Sequence, residues 1–147
     1  MWSSNQISNK VIRSADRFGP SNTQQLKQLN FSLSKCEPQE VFDGLIQIFT
    51  NAHPNFVARQ SLAGYLLFEI KPQANFDIKN TLIKILPFYE LSVEELPYYL
   101  VSQLSLEIVK EEVNNIEIEQ LSNKEKRALD TINYWLRNYE QFSKKNG

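Results

Sequence analysis

Apolar residues recur every three or four positions along most of this 147-residue chain, and this is the spacing of one face of an α-helix. The first such stripe ends at Gly19-Pro20, where glycine suits a helix end and proline cannot continue the helix. Its members are Ile7, Val11, Ala15 and Phe18. Similar stripes follow as far as the C-terminus, where the last helix is predicted to carry a wide apolar band that includes Trp135, Tyr139 and Phe142. The pattern predicts an all-α protein.

Helix starts are marked by three Ser-x-x-Glu/Gln capping boxes, at Ser21, Ser92 and Ser122. Together with the stripes they predict about eight helices with short connections, which pack as stacked antiparallel hairpins. Residues 30–34 alternate between polar and apolar, so helix and strand both stay open there. The chain has the length of one domain. Its expected parts are a basic N-terminal hairpin (1–36), a helical core (37–120) and a C-terminal capping helix (121–147).

One segment, Asn55 to Leu67, resembles the second helix of a HEAT-type repeat. It has Val57 and Arg59 near its start and the small pair Ala63-Gly64 further on. The family usually has the Val and Arg adjacent, whereas Ala58 separates them here. The resemblance extends loosely over residues 38–116 and implies a short HEAT-like solenoid. It also implies a protein that binds other macromolecules through an extended surface.

Catalytic and metal chemistry have few residues to work with. The chain has one His and one Cys, which excludes zinc sites built from several such ligands of one chain. His53 lies in a predicted turn, and Cys36 falls on an apolar stripe. The four glycines form no phosphate-binding loop. We therefore expect no enzyme activity, no metal and no cofactor.

Charge is distributed unevenly around a net value of −1. Residues 1–36 carry +4, residues 37–90 carry −2, residues 91–120 carry −6 and residues 121–147 carry +3. No apolar run reaches the roughly 20 residues of a membrane-spanning helix, and the start at Met1 has no secretory pattern. These features predict a complete cytoplasmic protein with an acidic face for a basic partner.

The acidic face is expected on two consecutive helices, 93–103 and 105–115. Each carries polar residues at i, i+4 and i+7, and in the second helix they lie opposite the apolar stripe. The six candidate partner-binding residues are Glu95, Tyr99, Ser102, Glu107, Glu111 and Asn114.

The expected function is a non-catalytic protein-binding module. The abundance of Asn, Ile and Lys is typical of AT-rich bacterial genomes, and a short acidic helical chain resembles bacterial immunity proteins that neutralise basic toxins. An immunity protein or toxin inhibitor is therefore the specific expectation. Two alternatives stay open, a nucleic-acid-binding helical solenoid and an adaptor for an enzyme complex. Nucleic acid is the less favoured partner because the chain is slightly acidic overall.

Overall fold

The computed structural model describes the backbone of residues 1–146 and the side chains of residues 1–141. Within that part of the chain the secondary structure is helical, without a strand, so the all-α prediction is confirmed. Residues 30–33 belong to the second helix, which settles the choice left open there. Phe142, expected on the apolar band of the last helix, lies outside the described side chains. The α-helices are α1 (Ser4–Phe18), α2 (Thr23–Leu33), α3 (Pro38–Gln47), α4 (Phe56–Ile70), α5 (Ile78–Ile85), α6 (Glu95–Leu104), α7 (Leu106–Asn114) and α8 (Asn123–Asn146), with a 3-10 turn at Ile118–Gln120 between the last two.

The predicted capping boxes have three different outcomes. The box at Ser122 is confirmed, because Ser122 and Glu125 exchange side-chain-to-backbone hydrogen bonds of 3.1 Å in both directions. At the start of α2 the cap is Asn22 in place of Ser21, and its Oδ1 accepts from the Gln25 N–H.

The box at Ser92 is wrong. The Ser92 hydroxyl donates to the Glu90 carboxylate, and α6 begins two residues later than expected, at Glu95. This later start places Pro97 in the first helical turn, where a missing N–H costs no intrahelical hydrogen bond.

One continuous apolar cluster runs from Ile7 in α1 to Leu136 in α8 and unites all eight helices. The most extensive helix contacts are between α1 and α3 and between α4 and α6. Glycine makes the first of these possible. A Cβ atom at Gly44 in α3 would lie 2.7 Å from the Ser4 carbonyl oxygen and 2.9 Å from Ile7 Cβ. Gly64, predicted as part of a small pair, likewise allows a close approach, because a Cβ there would lie 2.6 Å from Val93 Cγ1.

The helices also differ from membrane-spanning segments. None of those described combines the length and the apolar composition that crossing a bilayer requires.

Candidate functional site

The six residues expected to bind a partner do not form one surface. Tyr99 is fully buried, with 0% of its surface exposed, and its hydroxyl donates to the Pro72 carbonyl oxygen at 2.6 Å. Its ring packs against Phe42 with centroids 6.1 Å apart. The expected surface position of Tyr99 is therefore wrong. Its neighbours Leu96 and Leu100 are buried as well, so Tyr99 belongs to the apolar face of α6.

Glu95 is half-buried, and its Cβ lies where α6 approaches Gly64 of α4. Burial raises the pKa of its carboxyl group, and the neighbouring Glu94 carboxylate adds to the effect. The remaining four candidate residues are exposed as expected: Ser102 on α6, and Glu107, Glu111 and Asn114 on α7.

The charge of the α7 stripe is not neutralised by the cation of its own helix. Lys110, the single basic residue between positions 91 and 120, forms an ion pair with Glu140 of α8. Neither Glu107 nor Glu111 has a basic partner within 4 Å among the described side chains. These two exposed carboxylates of α7 are therefore without an ion-pair partner among the described side chains, and their role as a binding face stays a prediction.

The structure brings together an aromatic group that the sequence analysis did not identify. We call it the aromatic surface, and it consists of five side chains from α4, α6 and α8: Phe68, Tyr98, Tyr134, Trp135 and Tyr139. Tyr98 is at its centre, with ring centroids 5.4 Å from Tyr139, 6.3 Å from Phe68 and 6.4 Å from Trp135. Tyr134 packs edge-on against Trp135 at 5.0 Å and is 53% exposed, while the other four rings are half-buried.

Hydrogen bonds hold these rings in place. The Trp135 indole N–H donates to the Leu91 carbonyl oxygen at 2.9 Å. The Asn138 amide donates to the Tyr98 hydroxyl oxygen at 3.0 Å. Burial raises the pKa of Tyr98, and the negative charges of Glu94 and Glu95 add to the shift. Glu94 and Glu95 precede Tyr98 by four and three residues at the start of α6, and this spacing places them on the same side of the helix as the Tyr98 ring. The aromatic surface is thus anchored by hydrogen bonds and amphipathic, with Glu94 and Glu95 on the Tyr98 side and Lys71 Nζ 4.1 Å from the Phe68 ring centroid.

Sequence patterns indicated only part of this group. Trp135 and Tyr139 were assigned to the wide apolar band of α8, and their being half-buried agrees with that assignment. Tyr98 and Tyr134 carried no signal that separates a surface ring from a core ring. Their grouping depends on α8 crossing α6, a contact between residues about 40 positions apart.

A separate polar cluster joins α1 to α4. The Arg59 guanidinium donates two hydrogen bonds to the Asp16 carboxylate, at 2.9 and 2.7 Å, and a third to His53 Nδ1 at 2.8 Å. Asn55 also donates to Asp16, and the bonds from Arg59 and Asn55 lower the pKa of Asp16 to about 2. The pattern is that of a structural cross-link.

His53 takes part in this cluster as an acceptor. A guanidinium group only donates hydrogen bonds, so Nδ1 carries no proton and the imidazole is neutral. Its Nε2 is buried without a hydrogen-bond partner among the described residues. Burial lowers the pKa of His53, and the Arg59 charge lowers it further. Among the described residues, no three His, Cys, Asp or Glu side chains are placed to hold a metal ion.

No protein-family model matches this chain, and no curated protein or solved structure matches it either. Its function is therefore argued from the chemistry of its own surfaces.

Proposed function

We propose that this chain is a non-catalytic binding module for a protein with a basic surface. The observation that carries the proposal is the aromatic surface, in which the exposed Tyr134 packs on the ordered Trp135 ring and the central Tyr98 follows Glu94 and Glu95 on the same helix. Tyrosine and tryptophan dominate the energetics of protein interfaces, because they bury a large area at a small cost in conformational entropy.

The exposed Tyr134 ring is held, before any partner binds, in the position that it would have in an interface. Tyr134 rests on Trp135, whose orientation is fixed by the hydrogen bond to Leu91. Little side-chain ordering would therefore oppose binding, and more of the contact energy would appear as affinity.

Negative charge supplies the preference for a basic partner. Glu94 and Glu95 lie near Tyr98, and α7 presents Glu107 and Glu111 without basic partners among the described side chains. The two features are linked through α8, where Tyr139 packs on Tyr98 and the next residue, Glu140, pairs with Lys110 of α7. Complementary charge speeds association and disfavours acidic partners.

The proposal includes a HEAT-like stack of helical hairpins as the scaffold and a cytoplasmic location. Contacts between helices two positions apart in the chain support the stack: α1 with α3, α2 with α4, α4 with α6, α5 with α7 and α6 with α8. Stacked two-helix repeats bury their apolar faces in this way.

In its specific form, the proposal is that the chain inhibits a basic toxin domain, as an immunity protein would. The acidic residues around the aromatic surface suit that partner. An adaptor for an enzyme complex would use the same surface. The two roles differ in that an immunity protein protects cells from a toxic partner, whereas an adaptor does not. Co-expression with the product of an adjacent reading frame tests this, because only an immunity protein restores growth when that product is toxic.

A photo-crosslinking experiment tests the binding module itself. A photoreactive phenylalanine at position 134, introduced in cells that make the protein, should capture a protein partner with a basic surface. The Glu107→Lys/Glu111→Lys variant should lose most of that capture, since both positions are exposed and the substitution reverses four units of charge. Thermal unfolding of the double variant should be nearly unchanged.

The matched control is the same photoreactive residue at Phe31, which is 65% exposed on α2. Capture of the same partner from both positions, or capture at 134 that survives the charge reversal, would remove the support for an acidic binding face. Capture of nucleic acid at position 134 would replace the proposal with its alternative.

A further inference from the structure

A groove of about 240 Å³ runs between α1 and α2, away from the aromatic surface. Its α1 wall carries Lys10, Arg13 and Arg17, which are spaced i, i+3 and i+7 and so lie along one side of the helix. Its other wall contributes the amides of Gln25 and Gln28. No carboxylate lines this groove, and the acidic segment 91–120 contributes no residue to it.

The positive charge of the groove is uncompensated within the described structure. Asp16 is the single acidic residue of the first 36, and it is taken up by Arg59 of α4. None of the three groove cations has a carboxylate within 4 Å among the described side chains. The groove therefore presents a concentrated positive field on a chain whose net charge is slightly negative.

Aromatic rings accompany the cations along this face. Lys10 Nζ lies 4.3 Å from the Trp2 ring centroid, Arg17 Cζ lies 5.2 Å from that of Phe18, and Lys35 Nζ lies 3.9 Å from that of Phe31. Trp2 and Ser32 also line a second groove that holds Phe31 and Lys35, so the two grooves adjoin at these two residues. From Ser4 to Phe18 the helix rise alone spans roughly 21 Å.

We propose that these two adjoining grooves, together called the α1–α2 track, bind single-stranded nucleic acid. Cations that follow the backbone phosphates, alternating with rings on which unpaired bases stack, are the two elements of such sites. A duplex keeps its bases paired and offers only phosphates. An acidic peptide supplies negative charge for the cations, but it does not supply flat bases that could stack on Trp2, Phe18 and Phe31. The overall acidity that made nucleic acid the less favoured partner is concentrated in residues 91–120, none of which lines either groove. At the Trp2 end, the Glu40 carboxylate accepts a hydrogen bond from the Ser4 N–H.

Fluorescence anisotropy with a labelled oligothymidylate of about 12 nucleotides tests the proposal at low salt. Phe31→Ala should weaken binding roughly tenfold, because one stacking platform is removed. Arg13→Gln should weaken it and also flatten the salt dependence, by about 0.7 in the slope of log affinity against log salt for each phosphate that the variant no longer neutralises. Phe31 is exposed, so Phe31→Ala should fold like the parent chain. It therefore tests the track even if a replacement of Trp2 would disturb the start of α1.

Lys27→Gln is the matched control, since Lys27 is an exposed cation of the same hairpin that lines neither groove. A loss as large as that of Arg13→Gln would mean attraction by net charge alone and would overturn the track. Three further results would overturn it: no binding of the oligonucleotide, binding of a duplex of equal length at least as tight, or equally tight binding of phosphatidylserine vesicles or oligoglutamate.

The outcome is independent of the proposed protein partner. In a Trp135→Phe variant, Trp2 is the sole tryptophan and its emission should change when the oligonucleotide binds. In a Trp2→Phe variant, the Trp135 emission from the aromatic surface should stay constant. A change in Trp135 and none in Trp2 would assign the nucleic acid to the aromatic surface and contradict the track.

Discussion

The His53 imidazole is kept neutral by the Arg59 guanidinium, which occupies its one acceptor nitrogen. Its folded-state pKa is lowered, whereas the unfolded chain restores the ordinary value of 6.5. Below that value the unfolded state binds a proton that the folded state does not, so stability is lost as pH falls. Lowering the pH from about 7.5 to about 5.5 should therefore reduce the free energy of unfolding, as urea denaturation would measure.

A His53→Gln variant serves as the control, because its amide oxygen can accept from Arg59 but has no titration in this range. Its stability should depend less on pH than that of the parent chain. Asp16 does not interfere, since its pKa falls from 3.8 to about 2 and its contribution is lost only below this window. Glu95 acts in the opposite direction, because its raised pKa favours the folded state as pH falls, but it does so in both chains. Equal pH dependence in the two chains would contradict the neutral His53.

Among the helices, α1 and α3 are in contact through a glycine. Replacing Gly44 with Ala introduces a Cβ that meets the Ser4 carbonyl oxygen and the Ile7 Cβ, both of which are held by α1. Alanine favours a helix over glycine by about 1 kcal/mol, but overpacking a core typically costs about 1–3 kcal/mol. The overlap with backbone decides the sign, so we expect Gly44→Ala to lower the free energy of unfolding by about 1–2 kcal/mol.

Asp43→Ala, at the preceding exposed position of α3, provides the comparison. It changes the same helix without adding atoms to the α1 contact, and should stay within about 0.5 kcal/mol of the parent chain. If Gly44→Ala were as stable as Asp43→Ala, α1 and α3 would be able to move apart. Their close approach would then not require glycine at position 44.

For the molecule as a whole, the continuous apolar cluster predicts cooperative unfolding. Trp2 precedes α1 and Trp135 lies in α8, so the two tryptophans report on opposite ends of the chain. In Trp2→Phe and in Trp135→Phe, the fluorescence transition in urea should coincide with the circular dichroism transition of the same variant. A repeat stack with weakly coupled ends would instead unfold one end first. Separate midpoints in either variant would show that the core does not couple the ends.

The sequence was sufficient for the helices and for the segregation of charge. Apolar stripes at a period of 3.6, ended by residues such as Gly19-Pro20, determine where helices form, because backbone hydrogen bonding within a helix is local. The exposure of Glu107 and Glu111 followed from the same local pattern, since they lie opposite the apolar stripe of α7. The Ser92 box failed through another local effect, the requirement of Pro97 for a place in the first turn.

Tertiary structure decided which aromatic residues are buried and which form a surface. Tyr98 and Tyr99 are adjacent in sequence, and helical spacing places Tyr99 beside the buried Leu96 without determining what either ring contacts. Tyr99 turns inward because the Pro72 carbonyl accepts its hydroxyl 27 residues away, while Tyr98 meets Asn138 on a helix 40 residues away. The pairing of Asp16 with Arg59, 43 residues apart, likewise leaves the cations of α1 without a carboxylate partner among the described side chains. Helical periodicity fixes faces relative to one helix, and only the packing of several helices determines what each face meets.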